Sequence, residues 1–593
     1  MRKYALLFWA IATVSAQVSF TGNTETRIGE SSNGFYYNET LINTNLQYGA
    51  FTNWIQLEYS DPPELGRRIN GVRKLRLEYE NGPVTLKLGD LYEIWGRGLV
   101  LNSVDDQPID HDTGIRGISL KYSINPLNIH FITGSSDIQL STPTNPDPQK
   151  HDYTALHNIY GLDGNYSLGN QTFGSSFIQS KEKHAVNLFI SFPDTVNIKN
   201  QIMSFKYSFN HPSFDIYTEY VKNQSFQYDE TNELFNNYAN GRGLYGNINV
   251  YLNFLSLNIE YINYRFGTLD PDNRGNFVDN YGLFQPYQNP PIAINIHENI
   301  LMNRVSHQIN MNNEVGYKIE LMGMINNWID ILAIYSASSQ SHSWFMDSNY
   351  QWKKEGEAAL FPHSDKKAAT PFQEFYGELS FYMIDQKLHL KAGYSNSYDV
   401  TKLFLNTKTD TSSSMYYDLQ KSIAIPLNIS YTFESGWSIN ARVETQFYTK
   451  GVRQVGTLNG STVVDTFMST FYNDKNNNEI PEKNEYLDYE TNNFISLSIS
   501  KSPLWSLAFT LDKTNVSEVI NRGNEFENTL EKLFNIDQSR NWVNVEFVYN
   551  ISSTIRLSLL YGSLKGGLVC TNGICRIIEP FNDGFKMRLT SMF

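Results

Sequence analysis

The chain has 593 residues, a hydrophobic content of 40% and a formal net charge of −14. An acidic balance argues against a nucleic-acid-binding surface. The mean hydropathy is −0.41, and no stretch after the first 16 residues is apolar enough for a transmembrane helix. The aromatic content of 14% is typical of the interfacial girdles of membrane β-barrels.

Residues 1–16 have the pattern of a secretory signal peptide. A positive n-region at residues 2–3 precedes an apolar run at 4–14, and Val14-Ser15-Ala16 fits the small-residue cleavage rule. The run is shorter than the ~20 residues that a membrane-spanning helix needs, which favours cleavage after Ala16 over an uncleaved anchor. No Cys follows the run, so a lipoprotein anchor is not expected. We predict that residues 17–593 form one exported outer-membrane β-barrel.

The first unusual segment lies between two predicted strands and extends from Gly89 to Gly117. Its arginines and carboxylates suit an ion-paired loop that folds into the lumen of the barrel. Two interpretations stay open, an internal salt-bridge network without a ligand and a constriction that selects solutes. The lumen candidates are Asp90, Tyr92, Glu93, Arg97, Asp105, Asp106, Asp112 and Arg116.

Alternation of apolar and polar residues over about ten positions is the signature of transmembrane strands. It recurs as hairpins with short turns, at 203–220, 375–392, 423–447, 495–511 and 543–561. Pro426 removes one ladder donor, so a bulge or weak pairing is expected there. The pattern predicts an all-β, up-and-down antiparallel barrel of roughly 20 to 26 strands, even in number.

Much longer polar segments connect these hairpins, at 137–158, 266–310, 341–371, 450–488 and 515–540. Short turns that alternate with long loops are typical of a barrel with periplasmic turns and extracellular loops. An empty lumen of this width would be a large hole. Because strand-like alternation begins soon after Gln17, we expect inward-folded loops, and not a separate N-terminal plug, to narrow it.

A candidate calcium loop occupies residues 474–485. Its oxygen ligands fall at the spacing of a twelve-residue calcium loop, except that Glu479 stands where the sharp turn prefers Gly. The alternative is a polar extracellular loop, and we expect no other cofactor. The candidate ligands are Asp474, Asn476, Asn478, Ile480 through its carbonyl, Glu482 and Glu485.

The only two cysteines, Cys570 and Cys575, flank Asn572-Gly573, the preferred pair for a two-residue hairpin turn. The flanking strands would bring the two sulfurs within bridging reach. An exported protein lies in an oxidising compartment, so we predict a disulfide. A redox site of the CxxC type would need a different spacing.

The last strand alternates up to the final residue, with Phe585, Met587, Leu589 and Phe593 on one face. It resembles the C-terminal assembly signal of bacterial outer-membrane barrels, which implies the barrel-assembly machinery and outer-membrane lipid as partners. The alternative is an ordinary surface strand that ends in Phe.

Two sequence patterns resemble a family of uncharacterised outer-membrane β-barrels of Bacteroidota and related phyla. The first is Gly-Asp-x-Tyr with Gly-Arg-Gly-Leu at 89–99, followed by Ile-Arg-Gly at 115–117. The second is the Cys-x4-Cys-Arg stretch at 570–576, together with the closing strand at 584–593. This family has no established activity, so the resemblance implies a compartment and a fold but no substrate.

The sequence is compatible with three kinds of function. A porin-like channel for solute passage is favoured by polar residues at lumen positions. The alternative is a structural or partner-binding barrel of a surface or secretion assembly, whose lumen is filled by loops. An enzyme is not expected, because no HExxH, GxSxG or Walker sequence is present, although a Ser-His pair built across strands would leave no such motif.

Overall fold

The computed structural model describes residues 18–32, 34–140, 153–186, 194–267, 284–346, 352–364, 366–408, 412–458, 461–472, 476, 482, 484–516, 541–571 and 574–593. These residues form a closed antiparallel β-barrel of 24 strands, which confirms the predicted fold class and even strand number. In the described ranges, no helix is long and apolar enough to cross a membrane.

The barrel strands follow the order of the chain. The first twelve are β1 (Val18–Glu30), β2 (Tyr36–Tyr48), β3 (Phe51–Ser60), β4 (Asn70–Asn81), β5 (Val84–Leu91), β6 (Ile115–Ile124), β7 (Leu127–Leu140), β8 (Tyr153–Leu168), β9 (Gln171–Val186), β10 (Asp194–His211), β11 (Phe214–Asp229) and β12 (Leu234–Tyr251). The rest are β13 (Leu255–Arg265), β14 (Glu314–Asn326), β15 (Ile329–Ser339), β16 (Phe372–Met383), β17 (Leu388–Lys408), β18 (Ser412–Thr432), β19 (Trp437–Leu458), β20 (Glu490–Lys501), β21 (Trp505–Thr514), β22 (Asn541–Asn550), β23 (Ile555–Leu564) and β24 (Phe581–Met592).

Each strand pairs with its neighbours in the chain, and β24 closes on β1 from Asn23↔Met592 to Glu30↔Phe585. Short turns such as 49–50, 169–170 and 212–213 join the strands at one end, here named the turn end. The long connections all lie at the opposite end, named the loop end. The hairpins predicted from alternation form as expected, with strands β10–β11, β16–β17, β18–β19, β20–β21 and β22–β23.

The barrel strands expose apolar side chains on the outer face and bury polar side chains on the inner face. On β10, Phe205 faces outward and is 60% exposed, whereas its neighbours Ser204 and Lys206 face the lumen and are buried. On β8, Leu162 is likewise exposed and Asp163 is buried. A soluble protein would bury the apolar face, so this outer surface is suited to lipid.

Aromatic residues gather on the outer surface at the turn end. Phe20 and Phe593 stack across the β1–β24 seam with ring centroids 5.4 Å apart, and Trp437 lies edge-on to Trp505 at 5.4 Å. The indole rings prefer the membrane–water interface because they are amphipathic, and aromatic girdles at this level are typical of outer-membrane barrels. The alternating face predicted for the last strand, Phe585 to Phe593, is this outer face.

One expectation about the strands needs correction, and the weak pairing expected at Pro426 is confirmed. Residues 137–140, 153–158 and 450–458 belong to strands, and Ser461–Ser469 adds a short strand to the end of β19. Beyond the lipid the outward residues include polar ones such as Asp137 and Asn158, while inward residues such as Ile138 stay buried, so the apolar-outward pattern disappears although the hydrogen-bonded ladder continues. At Pro426 the β17–β18 ladder is interrupted between Ala392↔Leu427 and Ser395↔Ala424 without a change of register, so pairing is weak and there is no bulge.

Candidate functional site

The connection between β5 and β6, residues 92–114, folds into the barrel and is named inner loop 1. Its Trp95, Leu99, Val100 and Leu101 are buried in an apolar cluster inside the lumen. The barrel contributes inward side chains from β7 to β13 to this cluster, namely Ile132, Ile159, Ile178, Ile202, Val221, Tyr245, Ile262 and Tyr264. Inner loop 1 therefore has its own hydrophobic core against one half of the wall.

Polar contacts fix the position of this core. The indole N–H of Trp95 donates to His130 Nδ1 at 2.9 Å, and the backbone N–H of Arg97 donates to Glu219 Oε2 at 2.9 Å. Both acceptors are buried side chains of the wall. A buried donor or acceptor left unpaired costs ~1–3 kcal/mol, so these bonds set the register of the loop against the strands.

The connection between β13 and β14 contributes a second inward segment, residues 284–313, named inner loop 2. It is hydrogen-bonded to inner loop 1: Asn102 N–H donates to Tyr287 O at 2.9 Å, and Asn289 N–H donates to Gly98 O at 3.2 Å. Gly98 has a φ of +85°, and a Cβ there would lie 2.6 Å from Asn289 O. Only glycine fits this close approach. Because the two loops are hydrogen-bonded and packed at Gly98, we treat them as a single body and name it the plug.

Inner loop 2 then crosses to the opposite half of the wall. Its one-turn helix, α1 (Ile300–Asn303), places the N–H groups of Ile300 and Leu301 3.2 and 2.9 Å from the Glu444 carboxylate of β19. Farther along, Arg304 Nη2 lies 2.5 Å from Asp512 Oδ2 on β21.

Two histidines of inner loop 2 add further ties to the wall. His297 Nε2 lies 2.8 Å from Glu374 Oε1 on β16. The imidazole of His307 lies between Asp399 of β17 at 2.9 Å and Glu314 of β14 at 3.0 Å. The plug is thus attached to both halves of the barrel, by apolar packing on one side and by charged groups on the other.

Most of the predicted lumen candidates lie inside the barrel and are ion-paired or hydrogen-bonded. Tyr92 Oη donates to Asp112 Oδ1 at 3.0 Å, and burial, with the charge of Asp112 second, raises the pKa of this phenol. Asp112 lies 3.1 Å from Lys74 Nζ, and Asp105 contacts both Lys74 and Arg73.

Glu93, Arg97 and Asp106 lie in the same loop. Glu93 pairs with Lys87 Nζ at 2.9 Å, and the guanidinium of Arg97 lies over the ring of Tyr217 at 5.1 Å. Asp106 forms a backbone pair with His111.

Asp90 and Arg116 are a correction to the lumen prediction. Their neighbours Leu91 and Ile115 are fully buried in the inner cluster, so alternation places Asp90 and Arg116 on the outer face. They form a pair there, with Arg116 Nε 3.0 Å from Asp90 Oδ1. The outward position of Asp90 could have been predicted from the sequence, because Asp90 lies two residues after Leu88 and therefore on the same, lipid-facing side of the strand.

A cavity of about 1060 Å³ separates the plug from the wall on the side of β1–β4 and β24. We name it the side cavity. The hairpin Gly567–Thr571 and Ile574–Ile578 borders its loop end, where Arg576 donates to Ile109 O at 2.8 Å. Acidic and basic side chains line it in nearly equal number, namely Glu25, Arg27, Glu39, Glu58, Glu64, Arg67, Arg68, Arg73, Lys74, Asp90, Asp110, Asp112, Arg116, Asp137, Glu579, Lys586 and Arg588.

Sequence reasoning missed much of this site. Residues 266–310 were expected to be a polar external segment, yet residues 284–310 form part of the plug. The charged wall of the side cavity was also missed, although Arg588 alternates with the apolar residues Met587 and Leu589 on the last strand. That alternation was the available signal.

Several candidate sites remain predictions. The backbone ladder places Cys570 directly opposite Cys575, the arrangement that a cross-strand disulfide needs. Of the calcium loop, Asp474, Asn478 and Ile480 lie outside the described residues, as does the signal peptide at 1–16. Glu482 N–H donates to Glu485 Oε2 at 3.2 Å. Within the described part of the chain, no three His, Cys, Asp or Glu side chains group as a metal site.

Comparisons with known proteins give one family and distant structural likenesses. Residues 11–593 match the model of a family of unknown function, DUF6029. No curated protein matches the chain. The solved structures that it is similar to include the siderophore receptor PirA from Pseudomonas aeruginosa, at 9% identity and a TM-score of 0.43 over 98% of this chain and 81% of that one. The alcaligin receptor FauA from Bordetella pertussis matches at 9% identity and a TM-score of 0.39, over 97% and 76%. Likeness at this level says nothing about function.

Proposed function

Because the chain belongs to DUF6029, a family of unknown function, we propose its role from its own geometry: a selective outer-membrane channel that passes small charged or zwitterionic solutes through the side cavity. The loops at the loop end then face the cell exterior and the short turns face the periplasm. The signal peptide is removed after Ala16.

The single observation that carries this proposal is the position of the cavity beside a fixed plug. The plug fills the lumen along β7–β13 and is tied to β16, β17, β19 and β21. On the remaining side the plug is held by β4, where Lys74 contacts Asp105 and Asp112. Beside these contacts the side cavity extends from mid-barrel Glu25 and Arg588 to Arg68 and Glu579 at the loop end. A solute that crosses the barrel without moving the plug has this side of the lumen to use.

The lining of the cavity sets the class of solute. Arg27 pairs with Glu39 at 3.0 Å, Lys586 with Glu64 at 2.8 Å, and Arg588 with Glu25 at 2.7 Å. Apolar solutes gain little from such walls, whereas an ion or zwitterion finds partners of both signs along the path. Rings of charged side chains are a common means of selection in pores.

Single-channel recording of the purified protein in planar bilayers tests the proposal. Leu41 faces the side cavity from β2, so Leu41→Trp should lower the unit conductance. Its neighbour Ile42 alternates to the outer face, and Ile42→Trp provides a matched control that should conduct as the wild type does. A bilayer that stays silent, or two variants with equal conductance, would refute the channel.

A structural or partner-binding barrel is the second candidate. The observation that favours it is the number of strands that hold the plug, since a lumen filled so firmly suits a scaffold. Gentle detergent purification separates the two candidates. Stoichiometric co-purification of another envelope protein, together with a silent bilayer, would support the scaffold.

A further inference from the structure

The barrel wall is interrupted at the loop end between β4 and β7. The β4–β5 ladder extends only to Arg76↔Gly89, although β4 itself begins six residues earlier, at Asn70. The β6–β7 ladder stops at Arg116↔Ser135, although β7 continues to Leu140. Because the chain leaves β5 at Leu91 to enter the lumen, two strands end early and the wall has a gap above them.

A row of glycines crosses three strands at this gap. Gly117 of β6 is paired in register with Gly89 of β5 and with Gly134 of β7. Gly89 has a φ of +114°, and a Cβ there would lie 2.0 Å from Leu75 O. A Cβ at Gly117 would lie 1.9 Å from Thr133 O. No other residue fits, so the gap is encoded in the sequence.

The side cavity is lined from both faces of the wall at the gap. Arg27 and Glu39 line it from the inner face. Arg116, Ser135 and Asp137 also line it, yet these alternate with buried inner residues and therefore belong to the outer face. A cavity lined from both faces passes through the wall, and we name this passage the side opening.

The side opening lies at the margin of the lipid-facing surface. Leu88 and Ile118, two residues nearer the turn end than the Asp90–Arg116 pair, are exposed and apolar. Val72, 63% exposed on the outer face of β4, lines the cavity itself. Val72 lies three residues nearer the loop end than Leu75, and charged groups of both signs stand just above the apolar edge that Leu88 and Ile118 form. Asp90 accepts the N–H of Leu75 at 2.7 Å and the guanidinium of Arg116.

We propose that the side opening binds an amphiphile from the outer leaflet, with its acyl chains against Leu88 and Ile118 and a headgroup carrying both phosphate and amine inside the gap. Arg73 and Arg116 suit the phosphate, because arginine binds phosphate through paired N–H groups. Asp90 and Asp137 suit the amine. Apolar tail contacts and charged head contacts then meet at the one level where a membrane offers both.

Photo-crosslinking tests this proposal. The full-length protein in nanodiscs is irradiated with phosphatidylethanolamine that carries a diazirine on its headgroup, and adducts are mapped by mass spectrometry. Adducts are expected on the gap residues Arg73, Arg116 and Asp137 and on the inner-face residues of β1 and β2. Adducts confined to the lipid-facing surface away from the gap in the wild type would overturn the proposal without any variant.

Blocking the opening adds a second arm. Ser135→Trp should lower inner-face labelling about tenfold, the effect of ~1.4 kcal/mol in binding. Ser175→Trp, on the outer face of β9, is the matched control and should label as the wild type does. Both variants are first checked for the folded barrel by heat-dependent migration in detergent gels.

A soluble phosphoethanolamine diazirine distinguishes the source of the ligand. If it labels the inner face as strongly as the lipid probe does, and Ser135→Trp leaves lipid labelling unchanged, the ligand enters from the loop end and the side opening is refuted as an entrance. A silent bilayer would leave this proposal standing, because lateral binding requires no ion flow.

Discussion

Replacement of Glu444 by Gln should release inner loop 2 from the wall. Glu444 is 1% exposed, and its carboxylate accepts N–H groups from Ile300 at 3.2 Å, Leu301 at 2.9 Å and Arg442 Nε at 2.7 Å. Glutamine has nearly the same shape. Its amide, however, has only one accepting oxygen. The amide NH2 group is itself a donor, so it cannot accept the N–H group that it faces.

The magnitude follows from these bonds. A hydrogen bond to a charged group is worth ~1.5–3 kcal/mol, a neutral one ~0.5–1.5 kcal/mol, and a buried donor left unpaired costs ~1–3 kcal/mol. Losing the charge on two bonds and leaving one donor unpaired costs about 3 kcal/mol in total. If the cost falls on the attachment of the loop, the local opening constant rises about 100-fold, while the barrel strands keep their ladders.

Hydrogen–deuterium exchange of the protein in nanodiscs measures this opening directly. Peptides that contain Ile300 and Leu301 should exchange about 100-fold faster in Glu444→Gln. Glu546→Gln is the matched control, since Glu546 faces the lumen from β22 and accepts only the Ser558 hydroxyl at 2.7 Å among the hydrogen bonds of the described residues. Unchanged protection in Glu444→Gln, or equal loss in both variants, would refute this account of how the plug is held.

Three further outcomes are expected. Trp95→Ala removes a fully buried side chain at ~3–5 kcal/mol, so inner loop 1 should exchange faster and the conductance should rise; unchanged exchange would contradict its place in the core. Arg588→Glu makes the side cavity more acidic, so the reversal potential in a salt gradient should shift toward cation selectivity, and no shift would argue against this path. Cys570 and Cys575 should resist maleimide in the denatured protein until a reductant is added; labelling beforehand would exclude the disulfide.

The barrel itself was predictable because its physical cause is local. Because one strand face contacts lipid and the other contacts water, apolar and polar residues alternate along each strand. The hairpin at 423–447 shows this alternation in its own sequence, independently of distant residues. Counting its repeats gave a range of roughly 20 to 26 strands, which includes the 24 of the structure. Where the wall leaves the membrane, as at 137–140, the outward residues are polar, the pattern that lipid imposes disappears, and the sequence was assigned to a loop.

The plug was only partly predictable because its causes are distant in the sequence. The inward position of inner loop 1 was predicted from its charged residues, such as Arg97 and Asp112. Inner loop 2 carries no periodic pattern, and its buried position depends on wall residues such as Glu374 and Glu444, far along the chain. Which loop turns inward is decided by such long-range partners. Only the structure brings them together.

The pairing of charges in the side cavity favours a channel over a filled scaffold. Deeply buried ion pairs repay their desolvation poorly, and a scaffold would be served as well by apolar packing, as the lumen along β7–β13 already shows. In the cavity, the side chain of Arg588 stays 60% exposed while it pairs with Glu25. Exposed pairs are worth only ~0–1 kcal/mol, so a passing ion can replace either partner at small cost. A channel must bind its solute well enough to admit it and weakly enough to release it. Partly exposed ion pairs, which offer both a positive and a negative partner, meet that condition.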